Sequence, residues 1–283
     1  LIVDPDELTP VELHGRRWYK RDDLFQPYDD VPLSGGKVRQ AIELLGHARE
    51  RIVDEHGGVV LTTTGVHSPQ GLIIARVARE LGLKCVIFIG ATSLSSALQR
   101  HPMLVRALRA GAEIDTSAGV AYETSLGREV ERWRREHDGA GYFVRFGINL
   151  EDDPDAIVGS TAAQCANLPD VERIVIAVGA GITAAGIIIG AAEHRPEARV
   201  VCVQIAGYDR QPLIDRIVDG LPYEWHTIKG IPYSRLVQRS TPAGLGLDPI
   251  YEAKAHDWMI VRERDDESVA FWVVGDSSLV RAG

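Results

Sequence analysis

A glycine-flanked lysine is the first group in this chain with covalent chemistry in reach. Ser34-Gly35-Gly36-Lys37-Val38-Arg39 is followed by Ala41, Ile42 and Leu45, which with Val38 recur at helical spacing. Lys37 therefore sits where a glycine turn enters a helix. Glycines there let the backbone approach a ligand closely. A helix start is already positive through its dipole, so a lysine there is held at a lowered pKa, which suits an amine nucleophile. The plain alternative is a capping turn whose lysine is solvated. Only five lysines (Lys20, Lys37, Lys84, Lys229 and Lys254) stand among the 31 basic residues, so the search for a functional one is short.

Three further segments place polar or glycine-rich turns before apolar helical periods. Gly179-Ala180-Gly181-Ile182-Thr183-Ala184-Ala185-Gly186 follows the apolar run Ile174 to Val178. Such a turn exposes several N–H groups at a helix start, where an anion is favoured. The glycine spacing misses the dinucleotide fingerprint, and no G-K-[ST] follows for a P-loop. It reads as a phosphate site without nucleotide machinery, or as a merely tight turn. Thr62-Thr63-Thr64-Gly65-Val66-His67-Ser68-Pro69-Gln70 gathers hydroxyls, an amide and N–H groups where a carboxylate fits. Capping by Ser68 with Pro69 at the first helical position accounts for the same residues. Asp248-Pro249-Ile250-Tyr251-Glu252-Ala253-Lys254 taken alone is a capped helix start. The charge run Arg128 to Glu136 reads as a solvated helix face.

These turns need a scaffold, and the chain alternates strand-like with helix-like segments. Val59 to Thr63, Cys85 to Ile89, Ile174 to Val178, Val200 to Ile205 and Phe271 to Val274 read as strands, with another beginning at Ile114. Helical periods run through Ile74–Leu81, Leu104–Leu108, Tyr122–Trp133 and about Thr183 to Glu193. Strands apolar on both faces, alternating with helices, imply an α/β protein with mostly parallel sheets. At 283 residues, about two domains are expected. The net charge of −9 argues against nucleic acid as the partner, though not against a local basic patch. No apolar run reaches the length of a membrane span. Leu1 to Pro10 is acidic and lacks a signal-peptide pattern. Cys85, Cys165 and Cys202 are far apart with no C-x-x-C, so neither a disulfide framework nor a zinc site is expected, and a cytoplasmic setting fits best.

Taken in order, the motifs resemble the pyridoxal-phosphate enzymes of the tryptophan-synthase-β-like group, fold type II. Within it they look most like aminocyclopropane-carboxylate deaminases and D-cysteine desulfhydrases. Thr9-Pro10-Val11-Glu12 and Lys20-Arg21-Asp22-Asp23-Leu24 are similar to the family's opening T-P-L-E and K-R-E-D-L. Ser34 to Arg39 is similar to its G-G-N-K-x-R, Ser68-Pro69-Gln70 to S-N-Q/H, Gly179 to Gly186 to its phosphate loop, and Asp248 to Lys254 to D-P-V-Y-x-G-K. Val274 to Leu279 loosely matches the terminal H-T-G-G-L.

The resemblance implies two three-layer α/β domains with the cofactor in the cleft between them. The large one would comprise residues 1–37 and 146–283, and the small inserted one residues 38–145. It implies pyridoxal 5'-phosphate carried by Lys37 as a Schiff base, with the phosphate on Gly179, Ala180, Gly181, Ile182 and Thr183. Glu252 would face the pyridine nitrogen and favour a protonated ring, the stronger sink for a carbanion. Ser68 and Tyr251 would be catalytic beside Lys37; Ser68, Pro69 and Gln70 would take the substrate carboxylate, with Tyr233 a further substrate contact. The implied activity is a lyase or deaminase acting on a small amino acid, in a homodimer. Alternatives are a β-replacing synthase or decarboxylase, a pyridoxal enzyme acting on an amino group attached to a carrier or polymer, or a non-catalytic phosphate- or nucleotide-binding protein. The chain departs from the pattern at Pro69 and Gly36, where the family has Asn, and at Gln40, where it has a second lysine.

Overall fold

A computed structural model describes residues 3–31, 33–65, 68–120, 122–148, 155–205, 209–232, 235–238, 241 and 245–275, with the backbone alone for 155 and 156. In chain order the elements begin with strands β1 (Val11–His14) and β2 (Arg17–Arg21). Helix α1 (Gly36–Glu55), β3 (Val59–Thr64), α2 (Gln70–Glu80), β4 (Lys84–Ile89), α3 (Leu94–Arg100) and α4 (Pro102–Arg109) follow. Next come β5 (Glu113–Asp115), α5 (Glu123–Glu136), β6 (Tyr142–Val144) and α6 (Asp155–Ala163). The chain continues with β7 (Arg173–Val178), α7 (Ile182–His194), β8 (Arg199–Gln204), α8 (Gln211–Val218), β9 (Glu224–Thr227), α9 (Glu252–Arg262) and β10 (Val269–Val273).

Two sheets result. One has six strands in the order β1-β2-β10-β7-β8-β9, parallel except for the β1–β2 hairpin; the other has four parallel strands ordered β5-β4-β3-β6. This is the expected α/β architecture. The central strands β7 and β10 are buried along their whole length, as suits β10, apolar throughout, and β7, apolar after Arg173. All four strands of the smaller sheet come from residues 59–144, and α1 packs on α2, β3 and α6. Helix α7 is apolar all round except for Thr183 near its start and Glu193-His194 at its end. Its Gly186 and Gly190 allow close approach of α6: a Cβ at Gly186 would lie 2.7 Å from Thr161 Cβ, and one at Gly190 would collide with the Ala162 carbonyl oxygen.

Buried charge fixes the start of the chain to α1. Arg39 Nη2 donates to Asp22 Oδ1 at 3.0 Å and Nε to the same oxygen at 3.3 Å, both side chains being fully buried. The guanidinium also reaches the carbonyls of Pro5 and Glu7 and lies 4.0 Å over the Phe25 ring. Beside this pair the Lys20 ammonium donates to Thr9 O and Asn167 Oδ1, and burial pushes its pKa down to about 8. The three cysteines are free and buried, and burial raises their thiols to about 12. Among the described residues no helix is long and apolar enough to cross a membrane.

Candidate active site

The turn into α1 takes its shape from the end of β10. Gly35 has φ +91°, where glycine is favoured, and a Cβ on it would collide with the Val274 carbonyl oxygen. That same oxygen accepts the Gly36 N–H at 3.0 Å. A Cβ on Gly36 would come within 2.8 Å of Asp22 Oδ2, so the buried charge cluster lies directly behind the turn. Lys37 follows as the second residue of α1 and is half-buried. Burial pushes its amine pKa down, and the Asp248 carboxylate opposes this less strongly.

Val274 couples this turn to Glu252. While its carbonyl receives Gly36, its N–H donates to Glu252 Oε1 at 2.6 Å, and Gly275 N–H reaches the same oxygen at 3.0 Å. Glu252 Oε2 accepts from Asp248 N–H at 3.0 Å. Burial, with the nearby Asp248 charge, raises the carboxyl to about 8 despite these three N–H donors. Asp248 Oδ1 in turn accepts from the N–H groups of Ile250 and Tyr251, which folds the turn before α9; the helix itself starts after Tyr251 without a side-chain cap, unlike the capped start the sequence suggests.

Tyr251 brings in the glycine loop. A Cβ on Gly179 would lie 2.8 Å from Tyr251 Cε1, so the ring packs on that glycine. Gly181 is the N-cap of α7 with φ +100° and no side-chain cap, leaving the helix start uncapped by any side chain. Thr183 Oγ1 accepts from Gln40 Nε2 at 2.9 Å, which ties the second turn of α1 to this loop. Ala180 faces the other sheet, since a Cβ on Gly147, beyond the end of β6, would be 2.8 Å from Ala180 Cβ. Lys37, Tyr251, Glu252 and the Gly179–Thr183 loop are thus gathered along one line of contacts. It lies outside the carboxyl ends of parallel strands, where α/β proteins bind ligands.

The Ser68–Gln70 segment differs from its expected use. Helix α2 starts at Gln70 with Pro69 as its N-cap residue, one position later than the capping pattern suggests. Ser68 is half-buried; its N–H goes to Gly65 O at 3.0 Å, and its Oγ accepts the Gln70 N–H at 3.3 Å. Gln70 was expected to contact substrate, but its side chain is fully buried and fully used. Nε2 donates to Thr62 Oγ1 and Arg145 O, while Oε1 accepts from the N–H groups of Gly147 and Ile148. It holds the turn after β6, in which Ile148 takes the costly φ of +52°. Gln70→Ala is therefore expected to cost about 2–3 kcal/mol through unmade buried hydrogen bonds. Chemical denaturation checks this, and an unshifted midpoint would contradict it. Tyr233, His67 and the stretch beyond Gly275 in the Val274–Leu279 match lie outside the described residues. Two roles have no local sequence signal: that of Asp22, as the buried wall behind Gly36, and that of His101, whose Nε2 lies 2.5 Å from Gly65 O.

Comparison with known proteins agrees with this geometry. The profile of the family described as "Pyridoxal-phosphate dependent enzyme" matches residues 7–281. Among solved structures, an ACC deaminase homologue superposes with a TM-score of 0.74 at 21% identity, covering 95% of this chain and 89% of that one. The processed form of threonine deaminase isoform 2 from Solanum lycopersicum gives a TM-score of 0.67 at 13% identity, covering 97% and 84%. Serine racemase from Dictyostelium discoideum gives 0.66 at 15%, covering 94% and 92%. No curated protein matches the chain. With nearly its full length matched and both sheets in place, the chain belongs to the pyridoxal-phosphate dependent enzymes of fold type II.

Proposed function

We propose that the protein is a lyase or deaminase that uses Lys37 and pyridoxal 5'-phosphate to act on the α-amino group of a small amino acid. One observation carries the reading: the main chain of Val274 bonds the lysine turn through its carbonyl and Glu252 through its N–H. The turn that leads into Lys37 and the Glu252 carboxyl, more than two hundred residues apart in sequence, are thereby tied to the same strand end.

The residues suit the cofactor. The uncapped start of α7 at Gly181 favours a phosphate, and Thr183 adds a hydroxyl. The half-buried Lys37 amine, less basic than a solvated lysine, suits attachment to an aldehyde. Glu252 is a buried carboxyl oriented by three main-chain donors, and its raised pKa suits sharing a proton with a ring nitrogen. When bound, pyridoxal phosphate supplies an aldehyde for the amine and a ring that accepts the electrons of a substrate carbanion.

The chain's own groups divide the rest of the work. Lys37 takes and returns the proton at the substrate's α-carbon, a role that the lowering of its pKa by burial favours. Tyr251, fixed over Gly179, and the Ser68 hydroxyl stand as proton donors or acceptors on the substrate side. Glu252, held by its three main-chain donors, would be the group that shares a proton with the ring nitrogen. A deaminase should release ammonia and a keto acid from one or more members of a panel of small amino acids, followed by mass spectrometry. Products formed only when a second nucleophile is supplied would instead identify a replacing synthase.

The raised Glu252 pKa has a consequence for stability. The folded group titrates near 8 against an ordinary 4.5, so the native state binds the extra proton between those values. Stability of the cofactor-free protein should therefore fall as pH rises through this window and level off above it. Glu252→Gln should remove that component, so the difference between the two proteins' unfolding free energies should change from pH 5 to 8. Parallel curves would contradict the assignment.

A further inference from the structure

Among the described residues, the Ser68–Gln70 part of the turn assigned to a substrate carboxylate has little left to offer one. Pro69 has no N–H, the Ser68 N–H is taken by Gly65 O at 3.0 Å, and the Gln70 N–H by Ser68 Oγ at 3.3 Å. The Gln70 amide is spent on Thr62, Arg145, Gly147 and Ile148. Of the groups in Ser68–Gln70, the hydroxyl hydrogen of Ser68 is the donor that remains. Gly65 is also pinned, because the ring of His101, 1% exposed at the start of α4, contacts the same Gly65 carbonyl.

An apolar ring stands beside it. Phe146 is 40% exposed, and a Cβ on Gly65 would lie 3.4 Å from its Cε2. Gly65 follows β3 and Phe146 follows β6, parallel neighbours, so ring and turn stand outside the same edge of the smaller sheet. That edge meets the Gly179–Gly181 loop through Gly147 and Ala180. A carboxylate is a charged, acceptor-only group that needs several donors when it leaves water. An uncharged carbonyl is satisfied by one donor and tolerates a phenyl ring at its side.

Building on the cofactor reading above, we infer that the substrate is an amino acid whose carboxyl group is masked as an amide, ester or thioester. The Ser68 hydroxyl donates to its carbonyl oxygen, and Phe146 packs on the acyl-linked part. Arg145, exposed, next to Phe146 in the chain and already engaged in an interaction of its own, is the cation for which a free carboxylate would have to compete.

The test titrates the holoenzyme with both enantiomers of serine, serinamide and serine methyl ester, following the cofactor's visible band. Concentrations are matched in unprotonated amine. The amide and ester are expected to bind at least about tenfold more tightly than the acid. Pro69→Asn restores a main-chain N–H and should narrow that ratio by about tenfold by strengthening acid binding. Phe146→Lys, a change at an exposed side chain, should act in the same direction. A free acid that binds as tightly as its amide overturns the inference and leaves the cofactor reading intact; Arg145→Ala then reports whether that side chain holds the carboxylate. A wild-type protein without a visible band in added pyridoxal phosphate overturns the cofactor reading, and this inference with it.

Discussion

Lys37→Ala should leave a folded protein with activity reduced by about a thousandfold or more and without the visible band of an attached cofactor. The loss is large because one amine has two tasks, holding the cofactor and moving the substrate proton. Stability should not suffer. The lysine is partly desolvated at the positive end of α1, and alanine is the better helix former there. Activity and unfolding measured on the same preparation separate the two effects. A variant that keeps its band and its rate would remove Lys37 from the chemistry.

Asp22→Ala should be the most damaging change for stability, at about 3–5 kcal/mol. The carboxylate is the counter-charge of a buried guanidinium, and the Lys20 ammonium lies close by as a second cation. Removing it leaves Arg39 among main-chain carbonyls and the Phe25 ring with no anion. The double change Asp22→Ala with Arg39→Met should cost less than Asp22→Ala alone, since the stranded charge goes with its partner. Denaturant unfolding of the three variants checks the ordering. Because Asp22 Oδ2 forms the wall behind Gly36, the single variant should also hold pyridoxal phosphate more weakly.

Much of the scaffold was legible because its strands carry a simple signal. β3, β4, β7 and β8 are apolar runs buried on both faces, and they lie within a residue or so of where their sequences put them. β9, with the sequence Glu-Trp-His-Thr at a sheet edge, carries no such run; only its pairing with β8 makes it a strand. Helix α6 consists largely of small residues and has no amphipathic stripe, because it is defined by the glycine face of α7 on which it lies.

The candidate site divides in the same way. Lys37, Gly179–Thr183, Tyr251 and Glu252 stand in local motifs with glycines or caps at fixed offsets, and those motifs converge in space. Gln70 looked like a ligand-facing amide because its partners at Gly147 and Ile148 are 77 and 78 residues away. Local sequence cannot distinguish a polar side chain aimed at substrate from one aimed at a distant turn. The role of Asp22 was hidden for the same reason, since only the fold brings it to Arg39 and Gly36.

The most direct test of the central claim is to reduce the cofactor-loaded protein with borohydride, digest it and locate the modified peptide by mass spectrometry. The bond to the phosphorylated vitamin should be fixed on the peptide that contains Lys37. Modification of Lys20 or Lys254 instead, with Lys37 untouched, would contradict the account.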